Sequence, residues 1–323
     1  MKYKLLLLTL ASSLCANYTN CDFKNPHYTD VCRSVVSKGV SYEYANLFLN
    51  SYFKTKKFDE KSWELLQPSK ITYHKKQEKK ANNALVAFLP KMVTHLKEYE
   101  EVYDFAEKKY GVNREVIAAI LLKETRLGAF KPAHDAFIVF NTMVVRTKGE
   151  TPRQMWLLKM GKTNMATIIH YCYTKELTPE ECNLPSSYAG AVGIPQFMPN
   201  SFVYADPYKN AIADLTQMED AITSVASYLS KTAKFTTLIE WEKMQDLPAI
   251  EQEWYEYEFT HKNASFVHEV SKSGEAYSCF TKEKPELEYL KEHTAKIMRY
   301  NNSSNYALGV LSLAYQANKL LQN

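Results

Sequence analysis

Glycine is scarce in this chain, with 9 among 323 residues. A glycine-rich phosphate cradle and a β-sandwich of many tight turns both need residues that accept positive φ, so the scarcity speaks against either and for helix. Long apolar runs are missing too. Beyond the first residues nothing approaches the roughly 20 consecutive apolar side chains of a membrane-spanning helix, and no transmembrane segment is expected. No charge of one sign dominates: 40 Lys and Arg stand against 36 Asp and Glu, a net charge of +4, which is no electrostatic footprint for nucleic acid. The six cysteines include no Cys-x-x-Cys and no His/Cys cluster at zinc spacing, so no structural metal is expected. Internal repeats and low-complexity tracts are absent as well.

What is present is an ordinary globular composition, 46% apolar and 24% charged, on a chain long enough for about two domains at roughly 150 residues each. Tyrosine is the excess: 23, beside 15 phenylalanines and 4 tryptophans. Aromatic rings line clefts that stack sugars or bases, although core burial is their commoner use. At the start, Met1 to Lys4 is basic, Leu5 to Leu10 is a short apolar stretch and Ala11 to Ala16 a small-residue exit. That is the pattern of a cleavable secretory leader over residues 1–16. Lipid anchoring at Cys15 is the weaker alternative, since Ser13 and Leu14 fit a lipidation site poorly. In an oxidising compartment Cys21 with Cys32 and Cys172 with Cys182 read as local disulfide loops, with Cys279 left over; reduced, buried thiols are the alternative.

Helical spacing marks Tyr42 to Phe53, and Asp59 is placed to cap a short helix through Trp63, Leu65 and Leu66. Gln67, Pro68 and Ser69 read as its end, and the basic, polar stretch Lys70 to Lys80 as a solvated loop. After Pro90 the positions Met92, Leu96, Tyr99, Tyr103, Ala106 and Tyr110 predict one long helix that Gly111 ends. Asn113 is placed to cap the next, which carries Val116, Ile117, Ile120 and Leu121 and closes at Gly128. Phe137 to Tyr173 is helical in pieces, broken at Thr147 to Pro152. Pro185, Gly190, Gly193, Pro195 and Pro199 make Leu184 to Ser201 an ordered, turn-rich loop. Thr216 and Glu219 match a capping box for a helix striped by Met218, Ile222, Val225 and Leu229. Ser304 to Leu321 is a terminal helix.

Glu124 stands out on physical grounds. It shares a helix face with Val116, Ile117, Ile120 and Leu121, so a carboxyl group lies on a stripe that points into the core. It also lies near the helix C-terminus, where the dipole disfavours negative charge. Burial and dipole both raise a carboxyl pKa, and a carboxyl that keeps its proton near neutrality is what a general acid for glycosidic cleavage needs. The competing reading is a glutamate at a frayed helix end, exposed or paired with Arg126.

The surrounding words decide between them. Lys123 to Gly128 contains Glu-Thr-x-x-Gly, Ser187 to Pro199 reads Ser-Tyr-Ala-Gly-Ala-Val-Gly-Ile-Pro-Gln-Phe-Met-Pro, Asp220 and Ala221 open a helix, and Arg299, Tyr300 and Asn301 precede Tyr306. In this order, from about Tyr42 to Leu321, they resemble the lytic transglycosylases of the membrane-bound B type, enzymes with a goose-lysozyme-like core that cleave bacterial peptidoglycan. The resemblance implies a mainly α fold: N-terminal helices over residues 17–90, a lysozyme-like catalytic region over 91–323 with 232–298 as an irregular insertion or small subdomain, and a C-terminal segment that returns to the core.

It also implies roles. Glu124 matches the single catalytic acid and Ser187 the serine beside it, whose hydroxyl orients the carboxyl, or else only forms a turn. Gln196 matches the loop glutamine that hydrogen-bonds saccharide. Phe197, Tyr228, Tyr300 and Tyr306 are candidates for stacking on sugar faces, with plain core packing as the alternative, and Asn301 is placed to face the cleft. Asp135 is read as a helix cap, although a lysozyme would want a second carboxylate. Some relatives carry an EF-hand-like calcium loop; the matching interval, Asp206 to Asp214, has Lys209 and Ala211 where ligands belong and no glycine for the turn, so no calcium, no other metal and no cofactor are expected. An arginine-rich word of some relatives is matched only by Arg146 and Arg153. The expectation is an exported, periplasmic enzyme that cleaves glycan strands without water to leave 1,6-anhydro ends. Its partners are peptidoglycan and, beyond it, cell-wall synthesis or division proteins. The alternatives are a non-catalytic glycan-binding or scaffold protein and a hydrolytic lysozyme.

Overall fold

The computed structural model describes residues 20–55, 58–244, 247 and 285–322. The leader at 1–16, most of the interval 232–298 and Cys279 lie outside the described residues. The chain forms two compact units, one of Met1–Ile71 with Pro132–Phe202 and one of Thr72–Lys131 with Val203–Asn323.

The first unit is built on α1 (Pro26–Val36), α2 (Tyr42–Thr55), α3 (Glu60–Leu65), α8 (Ala136–Arg146) and α9 (Pro152–Thr174). Three starts are capped by side chains, two of them at the aspartates that sequence marks: Asp59 accepts from the Ser62 N–H at 2.8 Å, Asp135 from Ile138 at 3.1 Å and, beside them, Thr151 from Gln154 at 3.2 Å. Asp135 is therefore a capping residue. The strands β1 (His134–Asp135) and β2 (Pro185–Ser186) pair antiparallel, His134 opposite Ser186. Phe48, Phe137, Val139, Phe140, Ile168 and Ile169 fill the core, with Phe48 and Phe137 edge to face at 4.7 Å. Disulfides join Cys21 to Cys32 and Cys172 to Cys182, the two pairs expected from spacing, and all four sulfurs belong to this core.

The second unit is organised around α7 (Arg114–Thr125), in which every side chain from Val116 to Leu122 is fully buried. The terminal helix α12 (Ser304–Gln322) packs along α7, so the C-terminal segment does return to the core, against the helix that carries Glu124. α5 (Leu89–Glu98), α6 (Glu100–Tyr110), α10 (Met218–Ala233) and α11 (Pro285–Ile297) surround the pair.

Four local expectations are corrected. Lys70 to Lys80 is no loop but part of α4 (Pro68–Leu85). Pro68 takes the first helical position, where its missing N–H costs nothing, and the stretch behind it holds no proline or glycine but five Lys, two Ala, Gln77 and Glu78, which enter helices cheaply. The long helix after Pro90 is two helices broken at Tyr99 (φ −107°, ψ 28°), because Glu100 and Glu101 favour a fresh N-terminus over a helix interior. Asn113 precedes α7 but spends its amide on the Ile239 backbone; the first N–H of the helix, from Arg114, goes to Glu107 at 2.8 Å. The capping box at Thr216 does not form, since the Thr216 hydroxyl donates to the stronger acceptor Asp214 at 2.7 Å and the helix starts after Gln217.

Candidate active site

α7 ends one residue past Glu124. Arg126 and Leu127 turn left-handed (φ 52° and 58°), and Leu127 N–H reaches back to the Leu121 carbonyl at 3.0 Å, which satisfies the end of the ladder. Glu124 thus stands in the last turn, partly buried, with the helix dipole against its charge. Arg126 does not neutralise it; the guanidinium lies over the Phe88 ring at 5.4 Å. Burial pushes the Glu124 carboxyl up from the ordinary 4.5 to about 7. The Tyr306 hydroxyl and the Lys123 ammonium pull against that rise, and the Glu78 carboxylate adds to it.

Tyr306 donates its hydroxyl to Glu124 Oε1 at 2.6 Å. Its ring is buried, at 4% exposure, and burial beside Glu124 keeps the phenol well above its usual pKa, so it remains a donor at any working pH. A stacking surface for sugar is therefore not what Tyr306 offers; its hydroxyl holds the Glu124 carboxyl. Tyr300 lies parallel to it (6.5 Å, 7°), Tyr228 meets Tyr300 edge-on at 5.2 Å, and Tyr204 meets Tyr228 edge-on at 5.2 Å. The row is pinned where the Tyr228 hydroxyl donates to the Arg299 carbonyl at 2.9 Å. Tyr228 and Tyr300 keep part of their surface exposed, and Asn301 is exposed at the turn before α12.

Glu124, Tyr228, Tyr300, Asn301 and Tyr306 all belong to the second unit; Ser187, Gln196 and Phe197 belong to the first. There the loop after β2 is held by its own polar groups. Ser187 Oγ accepts the Ala189 and Ala191 N–H groups at 3.3 and 3.2 Å, bonds that leave its own O–H out, so turn formation and donation to a carboxyl are compatible. Gln196 sits left-handed (φ 53°) and donates Nε2 to the Gly193 carbonyl at 2.8 Å, a bond that does not use Oε1. Phe197 pairs with Val192 through both backbone groups and its ring is 2% exposed, so it packs as core and presents no face to a sugar. Gly190 has φ 87°, and a Cβ there would stand 2.3 Å from Phe140 Cζ. Gly190→Ala is expected to destabilise the chain by about 2–4 kcal/mol through strain and overlap together, read as a fall in melting temperature; an unchanged melting temperature would remove the close-approach argument.

The carboxylates in and beside the interval matching a calcium loop are taken up by other protein groups, Asp214 by the Thr216 N–H and hydroxyl. Asp206 takes the Lys109 ammonium at 2.9 Å, and Asp220 accepts the Tyr208 and Asp214 N–H groups at 2.8 Å each. Among the described residues no group of three or more His, Cys, Asp or Glu is placed to hold a metal ion. Sequence reasoning missed Tyr204, which no motif marks, Glu78, which lies in the Lys70 to Lys80 stretch read as a loop, and Asn82, one turn further along the same helix.

The family model described as "Transglycosylase SLT domain" matches residues 24–315. The chain belongs to this transglycosylase family. By that membership it is a lytic transglycosylase of peptidoglycan. Solved structures agree on the fold. The lytic transglycosylase Slt35 of Escherichia coli, in complex with bulgecin A, is similar at TM-score 0.61 and 20% identity over 92% of this chain and 94% of that one. Soluble lytic transglycosylase SltB1 from Pseudomonas aeruginosa gives 0.60 and 19%, over 91% of this chain and 100% of that one. SltB3 from Pseudomonas aeruginosa, in complex with NAG-NAM-pentapeptide, gives 0.56 and 13%, over 89% and 77%. No curated protein matches the chain. The fold of this transglycosylase is accordingly the mainly α, lysozyme-like one that the motif resemblance implied.

Proposed function

We propose that Glu124 is the acid, and then the base, of a non-hydrolytic cleavage of peptidoglycan between N-acetylmuramic acid and N-acetylglucosamine. The observation that carries this is a carboxyl with pKa of about 7 held at 2.6 Å by a permanently protonated tyrosine. In the first step Glu124 gives its proton to the bridging oxygen as the C1–O bond breaks, and positive charge develops at C1 of the muramic residue. Ionised Glu124 then takes the proton of that residue's own C6 hydroxyl while O6 bonds to C1, which closes the 1,6-anhydro ring and returns Glu124 to its acid form. One carboxyl in two roles needs no nucleophile and no water.

Tyr306 orients the acid and steadies its charge between the steps through the same hydrogen bond. Ser187 and Gln196, in the first unit, keep the positions that the family resemblance gives to a serine of the catalytic machinery and to a glutamine that hydrogen-bonds saccharide. Tyr228, Tyr300 and Asn301 supply the exposed saccharide contacts. The enzyme works outside the cytoplasm, exported by residues 1–16, where its two disulfides persist. Among the described residues no helix is long and apolar enough to cross a membrane. Incubation with purified sacculi tests the reading: release of soluble muropeptides is expected, whereas intact sacculi that retain the protein would favour a glycan-binding scaffold.

A further inference from the structure

Two charged side chains of opposite sign act on the Tyr306–Glu124 pair from different helices, and neither belongs to a motif with an assigned role. The first is Glu78 on α4. Its Oε2 accepts the Ser303 hydroxyl at 2.6 Å, and the same Ser303 oxygen accepts the Tyr306 N–H at 3.2 Å as the cap of α12. A carboxylate at a helix N-terminus is favourably placed against the dipole, so Glu78 fastens the turn that carries Tyr306. The second is Lys123, next to the acid on α7. Its ammonium stands over the Tyr306 ring at 4.8 Å and donates to Asn82 Oδ1. Asn82 lies one helical turn after Glu78 on the same face, is buried, and donates in turn to the Asn305 carbonyl at 2.8 Å. α4 can seat this closely because α12 offers Gly309: a Cβ there would lie 2.5 Å from the Asn82 side chain.

We propose that Glu78 and Lys123 are positioning residues that clamp the Tyr306–Glu124 pair from two sides, Glu78 through Ser303 and Lys123 through the Tyr306 ring and Asn82. The inference rests on Glu124 being the acid. Their charges act on it in opposite senses. The titratable groups that bear on Glu124 are Glu78 from α4, Lys123 from α7, and the Tyr306 and Tyr300 phenols from α12 and the turn before it. Negative Glu78 favours the protonated acid and positive Lys123 the ionised one. A clamp whose two ends carry opposite charge holds the geometry while leaving the proton affinity of Glu124 between the values that either end alone would set.

The test is the pH dependence of sacculus solubilisation by the full chain, from pH about 4 to about 9, around the neutral range in which an acid of this kind titrates. Loss of activity on the alkaline side reports ionisation of Glu124. Glu78→Gln is expected to move that limb to lower pH and Lys123→Met to higher pH, each by about half a unit to one unit, while Lys123→Arg leaves it in place. A purely structural role would lower the rate without moving the limb. Limbs that stay fixed, or that move in the same direction in both variants, overturn the clamp. Should Glu78→Gln fail to fold by circular dichroism, the Lys123→Met and Lys123→Arg pair decides alone. Glu124→Gln run alongside separates the two levels: if it retains turnover, the assignment of the acid is wrong; if it is inactive and the limbs stay fixed, only the clamp is wrong.

Discussion

Glu124→Gln lowers the rate of sacculus cleavage by at least about 10³-fold, the contribution expected of a general acid that also serves as base, and leaves the fold intact. The amide keeps the shape and can still accept the Tyr306 hydroxyl, so the loss reports the proton and not the packing. Retained turnover in this variant would remove Glu124 from its role. The same substitution has a signature in stability. The folded carboxyl binds its proton more tightly than the ordinary 4.5, with a pKa of about 7. That contribution is fully present below pH 4.5, declines as pH rises, and is gone once pH has passed about 7. Glutamine cannot ionise. Relative to wild type the variant should therefore gain stability between those two values and hold the gain above them, by on the order of 1–3 kcal/mol after allowance for partial exposure. Melting temperatures across that range measure it, and a gain that grows toward acid would contradict the buried-acid assignment.

Tyr306→Phe is the second large effect. It removes one 2.6 Å hydrogen bond to a group that becomes charged during the reaction, and nothing else of the ring's packing. A bond of that kind is worth about 1.5–3 kcal/mol, so the rate falls by roughly 10–10²-fold. The direction of the pH effect is fixed independently. The Tyr306 hydroxyl favours ionised Glu124, so its loss raises the carboxyl further above 7 and extends the alkaline limb upward. A ring whose only role was to stack on sugar would change KM and leave the limb where it was. Binding and pH dependence, measured together, separate the two.

The sequence made the core of this account legible and hid its setting, for separable physical reasons. Glu124 was visible because a carboxyl on an apolar stripe at a helix C-terminus is a local contradiction, and such contradictions concentrate at functional sites. Asp59 and Asp135 were visible as caps because capping is set by residues three positions apart. The disulfide pairs followed from short spacing in an oxidising setting. α4 was not visible, because a polar, lysine-rich run has no apolar periodicity to betray it, and only its lack of proline and glycine points to helix. With α4 misread, the i, i+4 relation of Glu78 and Asn82 had no meaning. Tyr306 and Phe197 show a different limit. Motif position gave their neighbourhood, but burial decides whether a ring offers its face or its edge atoms, and burial is a tertiary property.

The most direct measurement on the central claim is mass spectrometry of muropeptides released from purified sacculi by the wild-type chain. Intramolecular attack by the C6 hydroxyl gives muramic ends one water lighter than those of hydrolysis, and the account predicts that these 1,6-anhydro ends make up the products from the earliest times. Reducing muramic ends without the anhydro form would mean that water is the acceptor, and would contradict the single-carboxyl, non-hydrolytic role assigned to Glu124.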